Sequence, residues 1–173
     1  QYPVSVLDGV SLANKGAGFE VLGNEAVIDT GSGQSKGIEV LFQQKLSNNF
    51  YGILAYTLFS SEFSGINNIR LPSVWDSGNL LTFTGGYKLP KNWEVSLRYR
   101  YAGATPFAPT DTAATLITYP QIIIDYSRLG ENKLSTFKQG DFRLDKKWNF
   151  EKLSFNFYIE IQNFLAQENP RPD

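Results

Sequence analysis

The side chains with most capacity for chemistry are charged residues that recur at every second or fourth position. Glu94, Arg98 and Arg100 do so in one segment, Asp141, Arg143, Asp145 and Lys147 in a second, and Glu160 stands in a third. Acids alternate with bases, which suits ion pairs and hydrogen bonds along a hydrated wall better than bond-breaking. Asp141 and Asp145 are four residues apart, about 13 Å along an extended chain, too far for the carboxylate pair of glycoside hydrolysis. The 173 residues include no Cys, His or Met. Disulfides, thiolate or His-ligated metal sites and His-based triads therefore lack their residues. Gly31-Ser32-Gly33-Gln34-Ser35 and Gly85-Gly86 have neither a phosphate-loop lysine nor a following helical pattern. No catalytic residue, metal site or cofactor is expected, and the chain reads as a non-enzyme. Sixteen basic and 17 acidic residues give a net charge of −1, so nucleic acid is not an expected partner. Binding is the remaining chemistry. Arg98 and Arg100 suit an anionic ligand. Trp75, Phe107, Tyr119 and Tyr126 lie in irregular stretches, where a ring either stacks on a sugar or aromatic chelate or packs its own loop down.

The elements that position these residues are strands. Trp93, Val95, Leu97, Tyr99 and Tyr101 alternate with Glu94, Ser96, Arg98 and Arg100. Successive side chains of a strand point to opposite faces, so this segment has one apolar and one polar face. Leu153, Phe155, Phe157, Ile159 and Ile161 alternate with Ser154, Asn156, Tyr158, Glu160 and Gln162. Phe142, Leu144, Trp148 and Phe150, and also Leu81, Phe83, Tyr87 and Leu89, repeat the pattern. Ile38, Val40, Phe42 and Leu46 form a weaker version, predicted to pair with Phe50 to Glu62, whose two faces are both mostly apolar. Tyr2 to Leu7 and a stretch within Phe19 to Asp29 are further candidates. The chain is expected to be all-β, an antiparallel meander of about eight strands without helical periodicity.

Ser47-Asn48-Asn49, Pro90-Lys91-Asn92 and Glu151-Lys152 read as tight turns. Between them lie long irregular stretches, Ser60 to Asn79 and Ala102 to about Phe137. Short turns at one end and long loops at the other are the habit of outer-membrane barrels. No apolar run approaches the roughly 20 residues of a spanning helix, but a barrel strand needs only about 9–11. Phe50, Trp93, Trp148 and Phe150 stand beside the tight turns, and Tyr99 and Tyr101 mark the opposite end of their strand. Such rings favour the two interfaces of a bilayer. Lys146 interrupts the apolar face two residues from Trp148, where snorkelling to the interface relieves its charge. A soluble β-sandwich burying the same face as its core remains the competing architecture. Gln1 is not a translation start, so more chain is expected upstream.

Several segments resemble the C-terminal barrel region of TonB-dependent outer-membrane receptors, especially those of Bacteroidetes. They are Ser35 to Val40, Tyr56 to Phe63, Leu71-Pro72-Ser73-Val74-Trp75-Asp76, Tyr87 to Glu94 and Arg98 to Pro109. Phe142 to Trp148 and Tyr158 to Phe164 complete the set. The resemblance covers residues 35–170 and is weakest over 1–34; Asp76-Ser77-Gly78-Asn79 and Gly103-Ala104 depart from the family pattern. It implies a single unit over 1–173, a sector of an outer-membrane β-barrel or a small barrel, with the plug domain and last strand absent. It also implies a Gram-negative outer-membrane location and import of a scarce iron chelate, vitamin or glycan. Outer-membrane lipid, the protein's own plug and a TonB-type energy transducer would be its partners, besides the ligand. On that reading Arg98, Arg100 and the four loop aromatics face the ligand. Glu94, Asp141, Arg143, Asp145, Lys147 and Glu160 face the lumen or plug. A self-contained eight-stranded barrel with a structural or adhesive role, and a soluble sandwich binding module, are the alternatives.

Overall fold

Strict alternation of side chains favours pairing into a two-faced sheet, and the chain forms one. The computed structural model describes residues 1–16 and 24–168. Its strands are β1 (Tyr2–Ser5), β2 (Val27–Ser47), β3 (Phe50–Ser64), β4 (Arg70–Pro72), β5 (Asn79–Leu89), β6 (Trp93–Ala102), β7 (Pro106–Phe107), β8 (Asn132–Lys133), β9 (Phe137–Asn149) and β10 (Ser154–Ile161). The main sheet has eight strands in the order β1-β2-β3-β5-β6-β9-β10, with β4 beside the end of β3; β7 and β8 form a separate pair. Every pairing is antiparallel. The chain is thus all-β, an antiparallel meander of about the expected size.

The turns take the conformations their residues favour. Asn48 and Asn49 have φ of 49° and 67° between paired Ser47 and Phe50, the geometry of a two-residue hairpin whose twist matches the strands. Lys91 and Asn92 adopt φ of 61° and 59° in the turn from β5 to β6. From β9 to β10 the Phe150 amide donates to the Leu153 carbonyl.

Register assigns the faces. Leu54 pairs with Phe42 and Phe83, and Phe83 with Tyr99; Leu97 pairs with Phe142, which pairs with Ile161. These side chains therefore share one face, and most remain open: Phe42 is 63% exposed and Ile161 51%. The ambiguous Phe50 to Glu62 segment resolves accordingly. Phe50, Leu54, Tyr56 and Leu58 join the apolar face; Tyr51, Ile53, Ala55 and Thr57 join the polar one. From Phe50 to Leu58, or Trp93 to Tyr101, the apolar band runs about 26 Å along the strand. The chain exposes 12069 Å², against about 8,500 Å² for a compact monomer of its size. Among the described residues no second sheet covers either face, and β1 and β10 do not pair.

Among the described residues the buried aliphatic and aromatic side chains are Val4, Val10, Phe63 and Leu129, all at the long-loop end. There β2 and β3 outrun the apolar band and, on the side continuous with it, carry Ser32, Gln34 and Lys36 with Ser60, Glu62 and Ser64. With β1, α1 (Leu12–Lys15) and β4 they make a small head. Two expectations need correction. Ser60 to Asn79 is not wholly irregular, since β3 continues to Ser64 and pairs with β4. The Ala102 to Phe137 stretch contains β7, β8 and a helix, α2 (Thr112–Thr118). The Asp111 side chain caps α2 by accepting from the Ala114 amide. Its Thr and Ile residues have weak helix propensity, so no periodic signal announces it. Of the two N-terminal candidates, Tyr2 to Ser5 is β1, an edge strand that tolerates Pro3. Val27 to Asp29 open β2; the rest of that stretch up to residue 23, and the chain end at Asn169 to Asp173, lie outside the described residues.

Candidate functional site

The polar face carries the expected charged set in direct cross-strand register. Glu94 pairs with Asp145, Ser96 with Arg143, Arg98 with Asp141 and Arg100 with Gln139; Arg143 pairs onward with Glu160, and Lys147 with Asn156. Arg98 with Asp141 and Arg143 with Glu160 set opposite charges across strands, which stabilises a sheet by about 0.2–1 kcal/mol a pair, whereas Glu94 faces a like charge at Asp145.

Three clusters order this face. Arg98 Nε donates to Asp141 Oδ2 at 2.8 Å, and Nη2 lies in ion-pair contact with the same oxygen at 2.6 Å. Asp141 Oδ1 accepts from the Asn163 amide at 2.9 Å and from Gln139 Nε2 at 3.1 Å. The carboxylate is only 5% exposed, so its three hydrogen-bond donors and the guanidinium charge replace water. Arg143 grips Asp145 with two hydrogen bonds of 2.8 Å, the bidentate geometry that guanidinium favours. It also reaches Glu160 at 3.6 Å and lies 3.8 Å from the centre of the Tyr158 ring. The third cluster joins Tyr51 of β3 to Glu94 of β6 by a phenol-to-carboxylate hydrogen bond. The phenol crosses β5 at Gly86, where a Cβ would lie 2.5 Å from its oxygen. The absence of a side chain at Gly86 opens that path.

A hollow of about 590 Å³ opens on this face near the tight turns, among Tyr51, Lys88, Glu94, Arg143, Asp145 and Lys147. Lys88 and Lys147 have no ion-pair partner among the described residues. A second, of about 340 Å³, lies by Thr84, Arg98, Asp141 and Glu160.

The expected ligand residues divide. Arg98 is committed to Asp141, while Arg100 donates to Gln139 at 2.7 Å and stays at the loop end. Tyr126 sits under Lys15, 5.5 Å from its ring centre. Phe107 lies half-buried in β7, its carbonyl accepting from the Gly130 amide. Tyr119 is 81% exposed after α2. Trp75 is half-exposed and touches Phe63, centroid to centroid 6.2 Å; Phe63 in turn meets Tyr2 at 5.0 Å.

The aromatics beside the tight turns occupy one level. Trp93 pairs with Leu89 and Lys146, Trp148 with Phe155, and Phe50 with Tyr87, while Phe150 follows β9 in the turn. Tyr99 and Tyr101 lie toward the opposite end of β6.

Tyr51, Gln139, Tyr2 and Phe63 were not singled out by their residue types. Gly86 opposite an odd-numbered tyrosine was the available signal for the first; for the others only register reveals the partnership. A further cluster lies in the head. Lys15 Nζ bridges Asp8 and Glu25, each at 2.6 Å, and Glu25 also accepts from Ser5. Hydrogen bonds from Lys15 and then Ser5 hold the Glu25 carboxyl below its ordinary value. Burial opposes the Lys15 ammonium, but hydrogen bonds and charge from Asp8 and Glu25 outweigh it and raise its pKa.

Fold and site together define an antiparallel single-layer sheet with one open apolar face and one ion-paired polar face. No family model, curated protein or solved structure matches the chain.

Proposed function

We propose that this chain is a sector of the wall and loop-end mouth of an outer-membrane β-barrel, in a TonB-dependent receptor that imports a scarce ligand. One observation carries the reading. Neighbouring strands expose a continuous apolar face about 26 Å long with aromatic rings gathered at its tight-turn edge. A tilt of roughly 40° reduces that span to about 20 Å, a few ångströms short of the roughly 25 Å apolar band of outer-membrane barrels, and the flanking aromatic rings extend it. Water tolerates single exposed apolar residues, but not a patch of this extent. Facing inward, Glu94, Asp141, Arg143, Asp145, Lys147 and Glu160 form a hydrated wall against which a plug packs. Arg100 and the loop aromatics stand where a ligand enters. The long β2–β3 hairpin then rises above the membrane on the side of the long loops. The open edge of β10 and that of β2 beyond β1 mark where further strands join.

Cell fractionation tests this. The full-length protein is expected in the outer membrane, resistant to alkaline carbonate, migrating differently on gels before and after boiling. Recovery as a soluble monomer without detergent contradicts it.

A further inference from the structure

We propose that Tyr2, Phe63 and Trp75 form a stacking platform for a neutral pyranose ring at the loop end of the polar face. The site rests on the barrel reading for its place at the mouth, but its chemistry does not.

Register first places the platform. The β2–β3 ladder runs without a break from Gln44↔Gly52 to Ser32↔Ser64. Phe63 therefore projects from the same face as Tyr51 and Ile53, the polar face that becomes the lumen. Opposite it stands Gly33, where a Cβ would lie 2.4 Å from the Phe63 ring and 3.2 Å from that of Tyr2. Both rings thus lie against the Gly33 backbone, in space that a side chain at Gly33 would occupy. Phe63 is 8% exposed and serves as the base, while Tyr2 and Trp75 remain 44% and 50% exposed on either side. The pairs are edge-to-face, at interplanar angles of 82° and 72°, an arrangement aromatic rings favour. Two rigid, half-open rings on a packed base lose little entropy on binding.

Charge then selects the ligand. Asp76, next to Trp75, accepts from the amides of Ser61 and Gly78, which occupy its oxygens. Arg70 is bound to Gln34 on the opposite face, and Lys15 is held by Asp8 and Glu25. Among the described residues, these two cations are thus committed to other partners rather than to an anionic chelate at the rings. The C–H groups of a sugar instead offer positive edges to the negative ring faces. The paired Ser35 and Ser61 hydroxyls, 2.8 Å apart one row toward the sheet, supply neutral hydrogen-bonding groups beside them.

The test uses the full-length protein in detergent, titrated by calorimetry with maltohexaose, cellohexaose and xylohexaose, and with ferric citrate as the anionic contrast. At least one hexasaccharide is expected to bind. Trp75→Ala then weakens it about tenfold or more, Tyr2→Ala weakens it less, and Trp75→Phe stays within about threefold. Heat-modifiable migration of each variant separates lost stacking from misfolding. Three results overturn the proposal: no hexasaccharide binds, Trp75→Ala leaves affinity unchanged, or ferric citrate binds in a Trp75-dependent way. Fractionation reports separately on the barrel, so sugar binding through Trp75 by a soluble protein would sink the barrel and leave the platform.

Discussion

The Lys146 ammonium lies 5.1 Å from the centre of the Trp93 ring, on the apolar face of the sheet. It also stands 5.5 Å from the Trp148 ring and donates to the Lys91 carbonyl in the adjacent turn. A cation at the tight-turn edge of the apolar face is thus led out along two indoles to a backbone acceptor. That is the arrangement an interfacial lysine needs.

The position sets an expected depth dependence. Leu97→Lys places a cation near the middle of the band and is expected to cost about 2–4 kcal/mol in lipid, while Lys146→Leu costs less than about 1 kcal/mol. Equilibrium unfolding in vesicles measures both. In a soluble sheet the exposed Leu97 would accept lysine at almost no cost, so equal and small effects contradict the membrane account.

Gly86→Ala is expected to destabilise the protein by about 1–3 kcal/mol, because the new methyl meets the Tyr51 phenol. In a Tyr51→Ala background the same change should cost under about 0.5 kcal/mol. A double-mutant cycle reads the difference. Additive effects would mean that Gly86 matters for some reason other than the passage of Tyr51 to Glu94.

Arg98 and Arg100 are expected to separate. Arg98→Ala leaves the buried Asp141 carboxylate short of its cation and should cost about 1–3 kcal/mol, with Asp141→Asn restoring much of it. Arg100→Ala, whose partner is a neutral glutamine, should stay within about 0.5 kcal/mol. Equal losses would undo this ranking.

The head should respond to pH in a definite direction. Glu25 is held below its ordinary 4.5, so its contribution is present above that pH and lost as pH falls through the lowered value. Lys15 is raised above its ordinary 10.5, so its contribution is complete below that pH and lost as pH rises beyond it. Amide protection across Val4 to Lys15, corrected for intrinsic exchange, is expected to plateau between these limits. Glu25→Gln should abolish the acid limb; an unchanged limb in that variant assigns it elsewhere.

How far these features were legible depended on whether a residue's meaning was local. The strand of Trp93 to Tyr101 announces itself, because nine consecutive side chains alternate and no tertiary contact is needed to read them. The first half of β2 does not, since Thr30-Gly31-Ser32-Gly33 has the composition of a turn and is held extended by β1 and β3. The capped helix at Thr112 hid behind weak formers. Among site residues, the shared face of Arg98 and Arg100 was visible from alternation. Their different fates were not, because Asp141 and Gln139 arrive from 43 and 39 positions away. Trp75 stood out by type, but Tyr2 and Phe63 beside it needed register to be found.

The central claim is that one face of this sheet meets lipid. The 173 residues hold no cysteine; in a full-length protein cleared of any cysteine elsewhere, single cysteines can carry nitroxide labels at Val95, Leu97 and Phe83 on the apolar face and at Ser96, Thr84 and Thr82 on the polar one. In outer-membrane vesicles of the full-length protein, the apolar-face labels should collide with oxygen and be shielded from a water-soluble nickel chelate. Their ratio should alternate with a period of two along β6. Apolar-face labels as open to the nickel chelate as the polar-face ones would contradict the account.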